Sequence, residues 1–214
     1  EICYYEALMR IRTGDEVLSP ASFMPIVEQR NMNAELDMAV FKRIEADLQS
    51  GAFPEKSGVS VNLCGETVIR TDLVQLLEPL EKHLGSHKII IEVTETALIT
   101  NLEQASASLG QLRERGFEVA LDDFGSGYSS IRYLANMPVD IVKFDISMVR
   151  AFTSGERSRM IIESMIRIVQ DANYCLVCEG IETEDVNAQL RDVGVEIMQG
   201  YYFGRPQPLS EIQV

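Results

Sequence analysis

Two patterns of hydrophobic and polar positions alternate along the chain: short apolar runs and longer stretches with helical spacing. The apolar runs are rich in β-branched residues and predict seven strands, at 2–11, 59–62, 88–93, 117–123, 139–144, 174–178 and 196–198. The helical stretches predict helices at 20–30, 34–49, 71–84, 101–115, 129–136, 156–172 and 183–193. Strands and helices alternate without an obvious hairpin signal, which predicts an α/β fold with a parallel sheet.

A polar side chain stands at or near the end of each predicted strand. These residues are Glu6, Asn62, Glu92, Asp122, Asp123, Lys143, Glu179 and Gln199. A TIM-type (β/α)8 barrel gathers its chemistry at the carboxyl ends of its strands, whereas an open doubly wound sheet binds its ligand at one switch point. The pattern therefore favours a TIM-type barrel. Since seven strands are predicted, we expect the opening strand to be missing or to lie upstream of residue 1.

The chain of 214 residues contains no linker and no internal repeat, which predicts a single domain over 1–214. It begins with Glu1 and not with Met, so we expect a fragment of a longer multidomain protein. No apolar run approaches the roughly 20 residues that span a bilayer. We expect a cytoplasmic location, which includes the cytoplasmic part of a membrane-anchored protein.

Net charge and cysteine spacing narrow the classes of partner. A formal net charge of −14 argues against duplex nucleic acid and against an anionic membrane surface. It leaves a small phosphate ligand open, because bound metals reverse the sign of a local field. Cys175 and Cys178 have the spacing of half a zinc knuckle, but no second pair follows. We interpret them as buried thiols in a reducing compartment, with a metal or redox role as the alternative.

Asp122 and Asp123 follow an apolar run that reads as a buried strand. Desolvating an unpaired carboxylate costs several kcal/mol, so the pair requires a cation; two solvated side chains in a loop are the alternative. With Glu6, Glu92 and Glu179 the strand ends offer five carboxylates and no His or Cys, which selects Mg²⁺ or Mn²⁺ over zinc. So many acids favour two metals, an arrangement suited to in-line displacement at phosphorus. Lys143 among them would orient or deprotonate the attacking water.

These residues lie in motifs that resemble the EAL domain, a family of cyclic di-GMP phosphodiesterases and receptors. The resemblance covers about 2–208. The matching segments are Tyr5-Glu6-Ala7-Leu8-Met9-Arg10, Ser60-Val61-Asn62-Leu63, Glu92-Val93-Thr94-Glu95-Thr96, Asp122-Asp123-Phe124-Gly125-Ser126-Gly127-Tyr128-Ser129-Ser130, Val142-Lys143-Phe144-Asp145, Glu179-Gly180-Ile181-Glu182-Thr183 and Gln199-Gly200-Tyr201-Tyr202-Phe203-Gly204-Arg205-Pro206. Many motifs in order at the family's spacing carry the resemblance, where each alone would be weak.

The resemblance implies a role for each matched residue. It makes Glu6, Asn62, Glu92 and Asp122 the ligands of one metal, and Asp122, Asp123 and Glu179 those of a second. Lys143 would act on the nucleophilic water, and Gln199 would hydrogen-bond to a water on the metal. The residues that match dinucleotide contacts are Leu8, Arg10, Asp145, Glu182 and Pro206. The implied substrate is cyclic di-GMP and the implied product is linear pGpG.

The resemblance also implies partners. Glu95 matches the residue that steadies the loop after Asp123, and this loop touches the dimer interface in the family, so a homodimer is expected. A sensory or GGDEF-type regulatory domain elsewhere in the parent chain is also expected. Three functions are weighed: an active phosphodiesterase, a catalytically silent cyclic di-GMP receptor, and a barrel that serves only as a structural or partner-binding module. Every acid, Lys143 and the loop sequence are retained, which favours the enzyme.

Overall fold

The computed structural model describes residues 2–54, 57–95, 98, 101–126, 134–135 and 137–212. The chain divides into two compact units, one formed by Glu1–Phe117 with Pro208–Val214 and the other by Glu118–Gln207. Each unit contains parallel strands and helices. Among the described residues, no helix has both the length and the apolar character needed to cross a membrane.

The first unit is built on three parallel strands. Its strands are β1 (Tyr4–Ala7), β2 (Ile11–Thr13), β3 (Glu16–Leu18), β4 (Gly58–Asn62) and β5 (Ile89–Thr94). Its helices are α1 (Pro20–Gln29), α2 (Asn33–Gln49), α3 (Gly65–Val68), α4 (Leu73–Glu81) and α5 (Leu102–Glu114), with a 3₁₀ turn at Leu209–Glu211. Strand β4 lies between β1 and β5 and runs parallel to both. The pairing puts the carboxyl ends of the three strands at one edge.

The second unit carries four parallel strands in chain order. Its elements are β6 (Glu118–Phe124), β7 (Ile141–Phe144), α6 (Ile146–Thr153), α7 (Glu156–Asp171), β8 (Cys175–Cys178), α8 (Glu184–Asp192) and β9 (Ile197–Met198). Strand β6 pairs with β7, β7 with β8, and β8 with β9. The strand ends of this unit also meet at one edge.

Burial explains why the strand sequences are continuously apolar. Ile89, Ile90 and Ile91 of β5 are all buried, although successive side chains point to opposite faces of a strand. Both faces of this strand are therefore covered, as in parallel sheets flanked by helices. Burying each such side chain contributes about 1.5–3 kcal/mol. The α/β fold with parallel strands predicted from the sequence is confirmed.

The first strand is shorter than the predicted 2–11, and that prediction is wrong in its extent. Strand β1 ends at Ala7, and β2 pairs antiparallel with β3 in a hairpin closed by two residues, Gly14 and Asp15. Gly14 has a φ of 60°, a left-handed conformation that glycine adopts without strain. The Gly-Asp pair lies between two short runs of strand-forming residues, and this pattern is a hairpin signal that was not recognised in the sequence.

Helix α6 was not predicted either. The apolar run that forms β7 continues almost unbroken into it, and Asp145 alone marks the boundary by accepting a hydrogen bond from the Ser147 N–H at 2.8 Å. The short helix α3 was also missed. The helix predicted at 129–136 lies almost entirely outside the described residues.

Candidate metal centre

The predicted site residues of the first unit meet at the carboxyl ends of its strands. The Asn62 amide nitrogen donates a hydrogen bond to Glu6 Oε1 at 3.0 Å. In the sheet register Asn62 stands opposite Glu92, a buried carboxylate in β5. Three of the predicted metal ligands are therefore neighbours, as the sequence analysis expected from their positions at the strand ends.

A β-bulge shapes the strand that carries Asp122 and Asp123. Leu121 pairs with Val142 and Phe124 with Phe144, so two aspartates on β6 stand opposite one residue of β7. Asp123 has a φ of 56°, in the left-handed region. Regular strand geometry would send the two carboxylates to opposite faces, and the bulge lets them approach the same space.

Lys143 is the residue of β7 that faces the bulge, and it has no exposed surface. Its Nζ lies 3.1 Å from Asp122 Oδ1 and 2.7 Å from Glu179 Oε1. A buried ammonium persists only when it is paired, and here two carboxylates pair with it. Lys143 is therefore a buried neighbour of these carboxylates and is not an exposed lysine with a buried stem.

Asp122, Asp123 and Glu179 form a carboxylate cluster, since one oxygen from each lies within 4.8 Å of the others. Three carboxylates and the single ammonium of Lys143 carry a formal charge of −2. Such a surplus of negative charge favours the binding of a further cation. The donors are all oxygens, which matches the ligands that Mg²⁺ and Mn²⁺ prefer. The donor set of the second unit therefore fits a divalent metal.

Gln199 follows β9 and is held by the backbone of the β8 end. Its N–H donates to Cys178 O at 2.9 Å, and its carbonyl accepts from the Ile181 N–H at 3.0 Å. A Cβ added to Gly200 would lie 2.2 Å from the Ile181 carbonyl oxygen, so only glycine permits this approach. The segments that follow Glu179 and Met198 are thus locked together.

Of the two thiols predicted to be buried, Cys178 is buried and Cys175 is half-buried, and the thiols of Cys178 and Cys64 are suited to packing. Burial, with a smaller contribution from the charge of Glu179, raises the pKa of Cys178 to about 12. Burial, followed by the charge of Asp37, raises the pKa of Cys64 to about 12. Both thiols are protonated at neutral pH, and a protonated thiol is a poor nucleophile and a poor metal ligand.

The residues predicted to bind the dinucleotide are divided between the units. Leu8 and Arg10 lie in the first unit and are exposed, and Glu182 and Pro206 lie in the second and are exposed as well. Asp145 caps α6 through one carboxylate oxygen. Glu95 is buried after the end of β5. It is expected to steady the loop after Asp123, but residues 127–130 of that loop lie outside the described residues. These assignments stay predictions.

Two features lie close in sequence to predicted site residues and were given no role in the sequence analysis. Tyr201, Tyr202 and Phe203 are exposed after Gln199, and the Arg205 guanidinium lies 4.3 Å from the Tyr201 ring centroid. The run of three aromatic residues was the available signal. Met148 packs against the turn that follows Asp123. No sequence signal distinguished Met148 from an ordinary core residue.

Comparison with known proteins places this geometry in a family. Cyclic di-GMP phosphodiesterase NbdA of Pseudomonas aeruginosa is 36% identical over 218 residues, which cover 100% of this chain and 28% of that protein. Cyclic di-GMP phosphodiesterase PdeF of Escherichia coli is 31% identical over 212 residues, which cover 97% of this chain and 28% of that protein. The chain spans little more than a quarter of the length of these relatives.

Structural comparison gives the class of fold. The PaMucR phosphodiesterase in complex with c-di-GMP matches with a TM-score of 0.81 and 26% sequence identity, over 95% of this chain and 84% of that one. The predicted α/β TIM-type barrel class is thereby confirmed, whereas the position of the opening strand stays a prediction. The model of the EAL domain matches residues 1–206. The chain belongs to the EAL domain family.

Proposed function

We propose that the chain is a metal-dependent phosphodiesterase that hydrolyses cyclic di-GMP to linear pGpG. The observation that carries this proposal is the carboxylate cluster of Asp122, Asp123 and Glu179 around the buried Lys143. Relatives that are named cyclic di-GMP phosphodiesterases support it, since they align with 97% or more of this chain. The receptor interpretation predicts binding of the same nucleotide without hydrolysis.

Two divalent metals, Mg²⁺ or Mn²⁺, are part of the proposal. Each unit offers its own group of oxygen donors at its strand ends: Glu6, Asn62 and Glu92 in the first, and Asp122, Asp123 and Glu179 in the second. A divalent cation held by such donors would lower the pKa of a bound water and stabilise negative charge on the phosphoryl oxygens. The assignment of Asp122 to both metals stays a prediction from the resemblance.

The reaction breaks one of the two phosphodiester bonds of the ring. A water oxygen forms a bond to phosphorus, the bond from phosphorus to the 3′ oxygen breaks, and that oxygen takes a proton. Lys143, held between Asp122 and Glu179, would place its positive charge beside the reacting phosphate and orient the water. Gln199, fixed by Cys178 and Ile181, would hold the water from a second direction.

The remaining assignments of the family extend the proposal. Leu8, Arg10, Asp145, Glu182 and Pro206 are proposed to contact the dinucleotide, and Glu95 to steady the loop after Asp123. A homodimer through that loop, a cytoplasmic location and a regulatory domain elsewhere in the parent protein are proposed on the same basis. The relatives' much greater length is consistent with additional domains.

The test is incubation of the purified chain with cyclic di-GMP and either Mg²⁺ or Mn²⁺, with chromatographic detection of pGpG. We expect turnover with metal and none with a chelator. Glu6→Gln should retain the hydrogen bond from Asn62 and lose turnover. Glu163→Gln, which changes a partly exposed helical acid paired with Arg159, is the matched control and should remain active. Tight nucleotide binding without cleavage under both metals would refute the enzyme and favour the receptor.

A further inference from the structure

The turn that follows the aspartate pair lies directly on a side chain of helix α6. Gly125 has a φ of 99°, and a Cβ added there would lie 2.4 Å from both Cγ and Sδ of Met148. Met148 is 7% exposed, so its thioether fills enclosed space beneath the turn. Methionine is well suited to such irregular gaps because its side chain is unbranched and polarizable.

Two further contacts tie the same turn to the segment that leads into α6. The Asp145 N–H donates a hydrogen bond to Phe124 O at 3.2 Å. The rings of Phe124 and Phe144 are stacked, with centroids 5.7 Å apart, and both are buried. Phe124 and Gly125 are therefore fixed from the α6 side by a hydrogen bond, a ring contact and Met148.

The fixed turn matters because Asp123 stands immediately before it in a left-handed conformation. Most residues with a Cβ avoid this conformation, whereas aspartate tolerates it, so the contacts of the adjoining turn help to select it. If the turn relaxed, Asp123 would return toward an extended backbone. Its carboxylate would then point to the face opposite that of Asp122.

We propose that Met148 is a positioning residue of the metal centre. Its side chain supports Gly125 from below, and this support keeps Asp123 in the left-handed conformation that brings its carboxylate to Asp122 and Glu179. Met148 is not itself proposed to contact metal or substrate. The inference rests on the proposed function only in taking these three carboxylates as metal ligands.

The first test measures Mn²⁺ binding directly, by calorimetry or by the paramagnetic resonance of the free ion. Met148→Ala removes the support and should weaken Mn²⁺ binding about tenfold, the lower end of the effect of changing a residue that orients a metal ligand. Met148→Leu refills the space and should restore binding to near the wild-type value. Ile166→Ala removes a similar volume from the core side of α7 and should leave Mn²⁺ affinity unchanged.

Thermal unfolding of each variant separates positioning from general loss of packing. If Met148→Ala and Ile166→Ala lower the melting temperature alike and only Met148→Ala weakens Mn²⁺ binding, the proposal stands. If both variants bind Mn²⁺ as the wild type does, or both bind it equally weakly, Met148 is ordinary core and the proposal fails.

A second test uses Gly125→Ala alone and together with Met148→Ala. The added methyl collides with Met148 in the wild-type background, and this collision is absent once residue 148 is alanine. Gly125→Ala should therefore weaken Mn²⁺ binding by a larger factor in the wild-type background than in the Met148→Ala background. Equal factors would show that the contact contributes nothing and would overturn the proposal.

Measuring Mn²⁺ binding directly keeps the test of this inference separate from the test of the proposed function. A wild-type chain that binds Mn²⁺ but does not cleave cyclic di-GMP refutes the phosphodiesterase while the Met148 comparison still applies. A wild-type chain that binds no Mn²⁺ overturns both.

Discussion

Lys143→Met removes the ammonium from the carboxylate cluster while keeping a long apolar side chain in the buried space. Asp122, Asp123 and Glu179 then face one another without the cation that the structure places between two of them. The change should have opposite effects on two measurable properties. Metal binding should strengthen because the cluster becomes more negative, and turnover should fall because the positive charge that orients the reacting groups is lost.

The structure sets the size of both effects. Removing one partner of a buried ion pair costs about 3–5 kcal/mol. The side chains of Asp122 and Glu179 keep 12% and 19% exposure, so water screens part of the repulsion and we expect about 3 kcal/mol without metal. At about 2–4 °C per kcal/mol for a chain of this size, the melting temperature should fall by about 9 °C.

Bound metal should restore much of the stability that Lys143→Met loses. A charge about 4 Å away contributes about 4 kcal/mol at an effective dielectric constant of 20, so a tenfold gain in Mn²⁺ affinity, about 1.4 kcal/mol, is a conservative expectation. Saturating Mn²⁺ should therefore raise the melting temperature of Lys143→Met more than that of the wild type. Turnover of cyclic di-GMP at saturating metal should drop by about 10²-fold or more.

The assay combines thermal unfolding with and without a chelator, Mn²⁺ titration calorimetry and pGpG formation. Lys82→Met is the control, because Lys82 is half exposed and pairs with Glu45 at the surface, where an ion pair contributes about 0–1 kcal/mol. Mn²⁺ affinity that is unchanged or weaker in Lys143→Met would refute the reasoning. That result would mean that the carboxylates around Lys143 are not the ligands of the cation.

Two further predictions test the aspartate with the left-handed backbone, Asp123, and a buried carboxyl group, that of Asp37. Asp123→Asn should weaken Mn²⁺ binding with little change in the free energy of unfolding, because asparagine tolerates the left-handed backbone. Asp123→Ala should also weaken Mn²⁺ binding, and it should in addition lower the free energy of unfolding, measured by chemical denaturation, by about 1 kcal/mol. Equal stability of the two variants would contradict this account. Burial, opposed by the hydrogen bond from the Cys64 N–H, raises the pKa of Asp37. Because the folded state then binds this proton more tightly than the unfolded state, the contribution of Asp37 to stability should decrease as pH rises from the unfolded pKa of about 3.9 through the raised folded value. Asp37→Asn should flatten this dependence in denaturation curves between about pH 4 and 7, and an unchanged slope would refute it.

The sequence was sufficient to predict that the polar residues at the strand ends lie together, because parallel strands align their carboxyl ends. Asn62 illustrates this, since its position after an apolar run sufficed to place it beside Glu6 and opposite Glu92. The bulge at Asp123 was not accessible in the same way. The alternation of side chains along a strand predicts opposite faces for adjacent residues, and nothing in the sequence marks the left-handed backbone that changes this.

Lys143 shows a second limit of prediction from the sequence. The sequence shows a lysine inside an apolar run, which is compatible with a buried ion pair and with a charge that reaches the surface on a long stem. The choice depends on Asp122 and Glu179, which lie 21 and 36 positions away in the sequence. Such a contact arises from strand order and register, which local patterns do not specify.

The segments 122–125 and 143–148 support one another at successive points. Lys143 pairs with Asp122, the Asp145 N–H donates to Phe124, and Met148 packs beneath Gly125. Asp145 also caps α6 and is proposed to contact the dinucleotide. A shift of α6 at Asp145 would therefore be transmitted to the turn after Asp123 by a hydrogen bond and a packed side chain. If that turn determines the backbone conformation of Asp123, as proposed, then the nucleotide contact proposed at Asp145 and the metal binding proposed at the cluster depend on the same small group of packed residues.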